Sequence, residues 1–444
     1  MDAREVALLT LNACERQGGW SDGVLKKQIA AAGLDSRDAG LATQLCFGVI
    51  QNRILLDFYL SKFSNIPLRR LEGKVLQALR LGLYQMLFLT RIPHSAAVDQ
   101  SVALTRTHCK NPRAPGMVNA ILRNLERSLD RLPTIPENDP AEYYATLYSH
   151  PVWLVRELLE TLGSEGTAAF LQADNSQPPI TAMVNTGKTD LEGVLEALQA
   201  EGVHGEPHPW LSNCLVLSRS GSLEELDAFQ DGLFYVQDPA SRLAVMALDP
   251  EPGSRVLDMC AAPGGKSFAA AIQMKDQGEI WSCDLHPHKK TLIQKGAQRL
   301  GLTCIRPQTA DGKVRRPEWE GTFDRVLVDA PCSGLGVIRK KPDIRFKDPE
   351  PLAGLPQVQS AILDNAAGYV KPGGVLVYST CTVLERENRA VTDAFLAAHP
   401  EFRRERFLLP GPAGEVSEGQ ITLWPQVHGT DGFYICKLRK DGEA

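Results

Sequence analysis

From Pro252 onward, short apolar runs and amphipathic stretches alternate with a regularity that few folds satisfy. The runs at 255–259, 279–284, 303–307, 323–329 and 375–379 have strand length and are bounded by turn residues. Between them, 267–274, 288–300, 355–370 and 385–398 carry apolar residues at three-four spacing, the helical period. Strands separated by helices of this length specify βαβ crossovers, so a mostly parallel, doubly wound Rossmann-like sheet is expected. In such a sheet ligands sit at the carboxyl ends of the strands.

The first 131 residues have a different texture. Helical spacing at 3–16, 37–53, 54–63, 70–90, 96–107 and 115–130, with no strand-like alternation, predicts an all-α bundle. Leu71, Val75, Leu79, Leu83 and Leu87 form one apolar stripe. Pro133, Pro136 and Pro140 mark a linker at 133–149. Helices at 152–162, 165–173, 191–201 and 223–229 interleave with strands at 180–185, 214–218 and 233–237, a small α/β subdomain over 150–236. Three strands with helices suggest an RRM-like sheet, but no aromatic-rich strand is present to stack bases. The expected division is thus a helical domain at 1–132, the linker, the small α/β subdomain and a catalytic domain at 237–444.

At 444 residues, with 43% apolar and 23% charged side chains, the chain can bury several cores and is not disordered. No run nears the ~18 apolar residues of a membrane span. The N-terminus, Met1-Asp2-Ala3-Arg4-Glu5, lacks the look of a signal peptide, so a cytoplasmic protein is expected. Ten cysteines without a C-x-x-C pair read as reduced thiols, neither zinc ligands nor a disulfide framework. His286 and His288 have no carboxylate or cysteine at ligand spacing, so no metal is expected. Net charge is −5, unevenly spread: +7 over 1–131, −14 over 132–250 and +2 thereafter. A basic N-terminal unit on an acidic middle suggests a polyanionic partner, although a merely soluble surface explains the same numbers.

The chemistry-bearing residues cluster at the expected strand ends. The first strand runs through Asp258 into Met259-Cys260-Ala261-Ala262-Pro263-Gly264-Gly265-Lys266-Ser267, a glycine-rich turn before a helix that lets backbone approach a cofactor closely. Ala261 stands where a P-loop needs its first glycine, so nucleotide-phosphate binding is disfavoured. Asp284 ends the second strand at the distance of a ribose-binding acid, and Asp311 follows the third, where a carboxylate can meet an adenine amino group. Each acid alone is an ordinary turn residue; at successive strand ends they favour an adenosyl cofactor. Strand four ends at Asp329-Ala330-Pro331-Cys332 and strand five at Tyr378-Ser379-Thr380-Cys381, so two thiols and an acid converge beside the turn. Helix N-termini and cations there are expected to depress both thiol pKa values. Arg339, Lys340, Lys341 and Arg345 follow within 336–345 and suit substrate phosphates.

Asp258-Met-Cys-Ala-Ala-Pro-Gly-Gly-Lys-Ser, Asp329-Ala-Pro-Cys-Ser-Gly, Tyr378-Ser-Thr-Cys-Thr with Glu387-Asn388, and Thr430-Asp431-Gly432-Phe433-Tyr434 together resemble RNA cytosine-5 methyltransferases that use S-adenosylmethionine. The N-terminus is similar to NusB-like RNA-binding domains in Phe47-Gly-Val-Ile-Gln-Asn-Arg, Pro93-His-Ser-Ala-Ala-Val and Val118-Asn-Ala-Ile-Leu-Arg. The combination resembles bacterial 16S ribosomal RNA enzymes of this class over essentially the whole chain. The resemblance implies that Cys260, Ala261, Ala262, Pro263, Gly264, Gly265 and Lys266 cradle the cofactor's methionine moiety. It puts Asp284 on the ribose, Asp311 by the adenine and the Gln237–Ser241 stretch beside the pocket. It makes Cys381 the nucleophile and Cys332 the releasing thiol, and sets Asp329 against the base and among the cofactor-site residues. The residues themselves do not rank the two thiols. Met183 stands where the family commonly has Arg.

The implied reaction is methyl transfer to carbon 5 of a single-stranded or loop cytosine in small-subunit ribosomal RNA, and a monomer is expected. The alternative is a non-catalytic RNA-binding ribosome-assembly factor on a methylase fold, against which the intact thiols and strand-end acids count. A methyltransferase acting on protein or small molecules leaves the paired thiols and the basic N-terminal unit unexplained.

Overall fold

A computed structural model describes residues 1–17, 20–218 and 221–442. They form two compact units: Met1–Asn175 with Lys341–Lys347, and Ser176–Lys340 with Asp348–Ala444. Among the described residues no helix is long and apolar enough to cross a membrane.

The first unit is helical, with helices Ala3–Gln17, Ser21–Ala32, Ser36–Gln51, Arg53–Phe63, Gly73–Phe88, His94–His108, Ala114–Glu126, Pro140–Leu147 and Val152–Asp174. Gly73–Phe88 is its axis, buried on every residue from Val75 to Met86. A helix apolar nearly all round must be surrounded, and each buried leucine contributes about 1.5–3 kcal/mol. Gly48 is required by close approach: a Cβ there would lie 2.0 Å from the Tyr84 ring. Inside this core Arg80 donates to both oxygens of Asp57 at 2.7 Å and to Glu15 at 3.2 Å.

Two expectations change here. The helix Ser21–Ala32 was not anticipated, because its mixed composition, SDGVLKKQIAAA, hides the apolar period. The presumed linker at 133–149 contains Pro140–Leu147, started by Asp139, whose side chain accepts from Ala141 N, and by Pro140 at the first helical position. The two helices expected at 152–162 and 165–173 are both present and meet at a kink at Gly163, whose φ of 67° no side chain adopts readily.

Arg345, expected to meet substrate phosphate, is instead buried in the helical unit with 1% exposure. Its guanidinium donates to Gln51 O at 2.6 Å, Ser149 O at 3.0 Å and Asn175 Oδ1 at 3.1 Å. The fixed fork of an arginine suits three convergent acceptors.

The second unit opens with an antiparallel sheet of β1 (Ile180–Val184), β2 (His204–Pro207), β3 (Cys214–Ser218) and β4 (Phe234–Val236) in the order β2-β3-β1-β4. Met183 is buried there among Tyr235, Leu243 and Cys214, so an apolar side chain suits its place. The larger sheet is built from β5 (Arg255–Asp258), β6 (Glu279–Asp284), β7 (Ile305–Thr309), β8 (Phe323–Asp329), β9 (Val370–Thr380) and β10 (Phe402–Arg404). A hairpin of β11 (Phe407–Leu408) and β12 (Glu415–Val416) precedes β13 (Gln420–Leu423) and β14 (Phe433–Lys440). The order β10-β14-β9-β8-β5-β6-β7 is parallel from β7 to β9. β14 runs antiparallel to β9, and β10 and β13 pair with β14. Those antiparallel strands, and the helix Pro239–Leu248 capped by Asp238, were not anticipated.

Candidate active site

Because β5 to β9 are parallel, their carboxyl ends share one edge, and it carries Asp258, Asp284, Thr309, Asp329 and Thr380. The turn after β5 leads to Gly264, at φ 114°, and the helix Gly265–Gln273. A Cβ on Gly264 would stand 2.4 Å from the Phe268 ring, so sterics as well as φ demand glycine. The helix N-terminus presents amides and a positive dipole end to the strand edge.

Asp258 is buried beneath this turn, accepting from Ser267 Oγ at 2.7 Å, which in turn accepts from Ser282 Oγ at 2.7 Å. Burial lifts its carboxyl to about 7, Ser267 pulling the other way and Asp329 reinforcing the rise. Asp284 Oδ1 accepts from His286 N at 3.2 Å, and Lys289 stands 3.5 Å away. Asp311 Oδ1 accepts from Lys313 N at 2.9 Å. Both acids therefore serve their own loops with one oxygen. An adenosyl cofactor fits this edge on two observations: a glycine turn that leads straight into a helix N-terminus, and carboxylates at successive strand ends.

The thiols meet. Cys332 Sγ and Cys381 Sγ lie 3.3 Å apart, both partly buried. The expectation that both would be acidified is corrected. A hydrogen bond from Cys332 lowers the Cys381 pKa against burial and the Asp329 charge, with help from Lys266. The same bond, with burial, pushes the Cys332 thiol well above its ordinary value. Cys260, also partly buried, is pushed well up too.

Lys266 Nζ donates to Asp329 Oδ2 at 2.8 Å and Ser241 Oγ at 3.3 Å, and lies 5.1 Å from the Phe433 ring centre. Burial opposes its charge, but the Asp329 carboxylate outweighs that and raises its pKa. Ser379 Oγ donates to Asp329 Oδ1 at 2.8 Å. So one acid, one cation and two thiols converge where β8 and β9 end.

Arg339 and Lys340, the other expected phosphate ligands, are engaged elsewhere. Arg339 donates to Asp431 Oδ1 at 2.9 Å; Lys340 donates to Asp431 Oδ2 at 2.8 Å and Asp238 Oδ2 at 2.5 Å. Two cations meet two carboxylates in a nearly closed quartet, which removes them from phosphate binding. Gln359 was missed at the sequence level. Its one signal is a polar residue on the buried stripe of the helix Leu355–Tyr369, beside Ile362 and Leu363.

The chain is similar to known proteins along its whole length. Residues 245–439 match the family described as 16S rRNA methyltransferase RsmB/F, residues 1–127 the NusB family, and residues 150–224 a ferredoxin-like domain of RsmF/B-like methyltransferases. The chain is 40% identical to a probable ribosomal RNA small subunit methyltransferase B of Bacillus subtilis (strain 168), covering 99% of each. It is 33% identical to a ribosomal RNA small subunit methyltransferase B of Klebsiella pneumoniae, covering 92% of this chain and 91% of that one. A solved structure described as PH0851 superposes with a TM-score of 0.82 at 26% identity, over 99% of each chain. With full-length relatives at this identity, the chain belongs to the 16S rRNA methyltransferase RsmB/F family.

Proposed function

We propose that this protein transfers a methyl group from S-adenosylmethionine to carbon 5 of a cytosine in small-subunit (16S) ribosomal RNA, through a covalent Cys381–cytosine intermediate. The observation that carries this reading is the thiol pair at 3.3 Å beside the Lys266–Asp329 ion pair. Residues 260–266, Asp284 and Asp311 hold the cofactor, which supplies an electrophilic methyl group on a sulfonium. The helical domain, read as residues 1–132, binds RNA, and its +7 charge favours that partner. The protein acts as a cytoplasmic monomer on a cytosine displaced from its stack.

Cytosine carbon 5 is too weak a nucleophile to react unaided. The Cys381 thiolate adds at carbon 6, and the π pair of the 5,6 double bond moves onto carbon 5 and the ring. Asp329, gripped by Lys266 and Ser379, faces ring nitrogen 3, to which it donates when it carries a proton, and the ammonium behind it offsets the developing charge. Carbon 5 takes the methyl group. Once Cys381 is bonded to carbon it no longer holds the Cys332 proton, which passes to solvent; the Cys332 thiolate then removes the proton at carbon 5, the carbon 6–sulfur bond breaks, and Cys381 leaves as thiolate. The opposed pKa shifts support this division: the acidified thiol attacks, and the one with the raised pKa is the stronger base.

The test compares wild type, Cys332→Ala and Cys381→Ala, each incubated with unmethylated 16S RNA and S-adenosylmethionine and run on a denaturing gel. Cys332→Ala should trap a protein–RNA adduct that Cys381→Ala cannot form. An adduct that depends on Cys332 reverses the roles. Wild type that binds RNA without transferring methyl overturns the reading.

A further inference from the structure

Glu387 and Asn388 have no part in the chemistry above, yet they hydrogen-bond to residues that flank each thiol. The 385–398 stretch, expected as one helix, breaks at Asn388, where φ −111° and ψ −99° separate a short 3-10 turn from the helix Arg389–Ala398. The break turns both side chains inward; Glu387 has 0% exposure and Asn388 2%. Asn388 Oδ1 accepts from Thr380 Oγ1 at 2.5 Å, and its Nδ2 donates to Thr382 O at 3.0 Å. Thr380 and Thr382 are the residues before and after Cys381. Glu387 Oε2 accepts from Ser333 N at 2.9 Å and from Gln359 Nε2 at 2.9 Å, while that same amide donates to Pro331 O at 3.0 Å. Pro331 and Ser333 flank Cys332. Ser333 Oγ and Thr382 Oγ1, 2.7 Å apart, join the two loops, and Tyr378 OH donates to Glu387 O at 2.7 Å from beneath.

We propose that Glu387–Asn388 is a double clamp of positioning residues, Asn388 holding the Cys381 loop and Glu387, with Gln359, the Cys332 loop, so that one dipeptide fixes the sulfur–sulfur separation. The proposal rests on the two-thiol reading above. Adjacent residues cannot move independently, so bonding one to each loop makes the two loops one rigid piece. At 3.3 Å a thiol can donate to a thiolate; a displacement of about 1 Å removes that bond and its effect on reactivity.

Two readouts test it on the full chain. Without RNA, the alkylation rate of Cys381 by iodoacetamide, resolved by peptide mass spectrometry, is followed against pH. Asn388→Asp, which keeps the acceptor but loses the donor, and Thr380→Val, which removes the clamp's hydroxyl from the strand side, should both move the Cys381 midpoint up toward the ordinary ~8.5. A midpoint unchanged in both variants, with melting unchanged, overturns the proposal. With RNA and cofactor, Glu387→Gln should slow release and raise the trapped adduct about tenfold over wild type, the equivalent of losing one charged hydrogen bond. If Cys332→Ala traps adduct and Glu387→Gln does not, the clamp is refuted and the mechanism stands. If neither traps it, the two-thiol reading fails first, and the alkylation profile still decides the clamp.

Discussion

Asp431→Asn would show what the quartet of Asp238, Arg339, Lys340 and Asp431 does. Arg339 and Asp431 side chains are each 5% exposed, Asp238 9% and Lys340 29%, so little water reaches the charges. At 2.9 Å and an effective dielectric near 20, one contact is worth about 6 kcal/mol gross. Asp431 makes two such contacts, but burial and the repulsion from Asp238 outweigh them and push its carboxyl up to about 6. Removing one carboxylate leaves two cations sharing the other, for which a loss of about 3–5 kcal/mol is expected. Lys340→Met alone should cost less, because Lys340 keeps some water. The double variant restores charge balance as one Arg–Asp pair and should recover about 1–3 kcal/mol relative to the sum of the singles. Native-state hydrogen exchange on the β9 and β14 amides is the assay, since a two-unit chain has no single unfolding transition. Additive losses would refute the argument. So would a Lys340→Met protein whose RNA affinity lost about 0.7–0.9 from its salt slope, the mark of a vanished phosphate contact.

Three further outcomes follow from the geometry. Asp258 has a folded-state pKa of about 7 against 3.8, so its contribution is greatest below pH 3.8 and is lost as pH rises to 7, by up to about 4 kcal/mol. Asp258→Asn should therefore flatten the fall in denaturant stability between pH 5 and pH 8; an unchanged slope would show that the carboxyl is ionised throughout. Gly264→Ala should abolish cofactor binding in calorimetry while leaving RNA affinity intact, because the Cβ strikes Phe268 in a backbone conformation that costs about 1–3 kcal/mol. Cofactor binding within threefold of wild type would disprove the cradle. Arg345→Met strands three acceptors inside the helical unit and should cost about 3–5 kcal/mol, and Arg345→Lys should not rescue it, since one ammonium cannot reach all three; hydrogen exchange in the helix Ser36–Gln51 reads both.

The sequence by itself determined the elements whose signal is local. The 3.6-residue period marked the helix around Leu79 and Leu83, and alternating strands and helices marked the parallel sheet. The glycine turn after Asp258 and the Pro-Cys and Thr-Cys strand ends stood out because function requires residue types that packing alone does not. What sequence left open depended on partners distant in the chain. β14 is defined by pairing with β9, about sixty residues earlier, and its short period-2 pattern carries no record of that neighbour. Arg339, Lys340 and Arg345 looked like a basic patch because charge in a sequence is silent about what faces it. Only tertiary structure brought Asp238 and Asp431 to the first two and buried the third against carbonyls. It also decided the thiols: two cysteines forty-nine residues apart are equivalent on paper, and a 3.3 Å contact, with a cation near one of them, makes one acidic and the other basic. Burial and proximity set those pKa values, and neither quantity exists until the chain has folded.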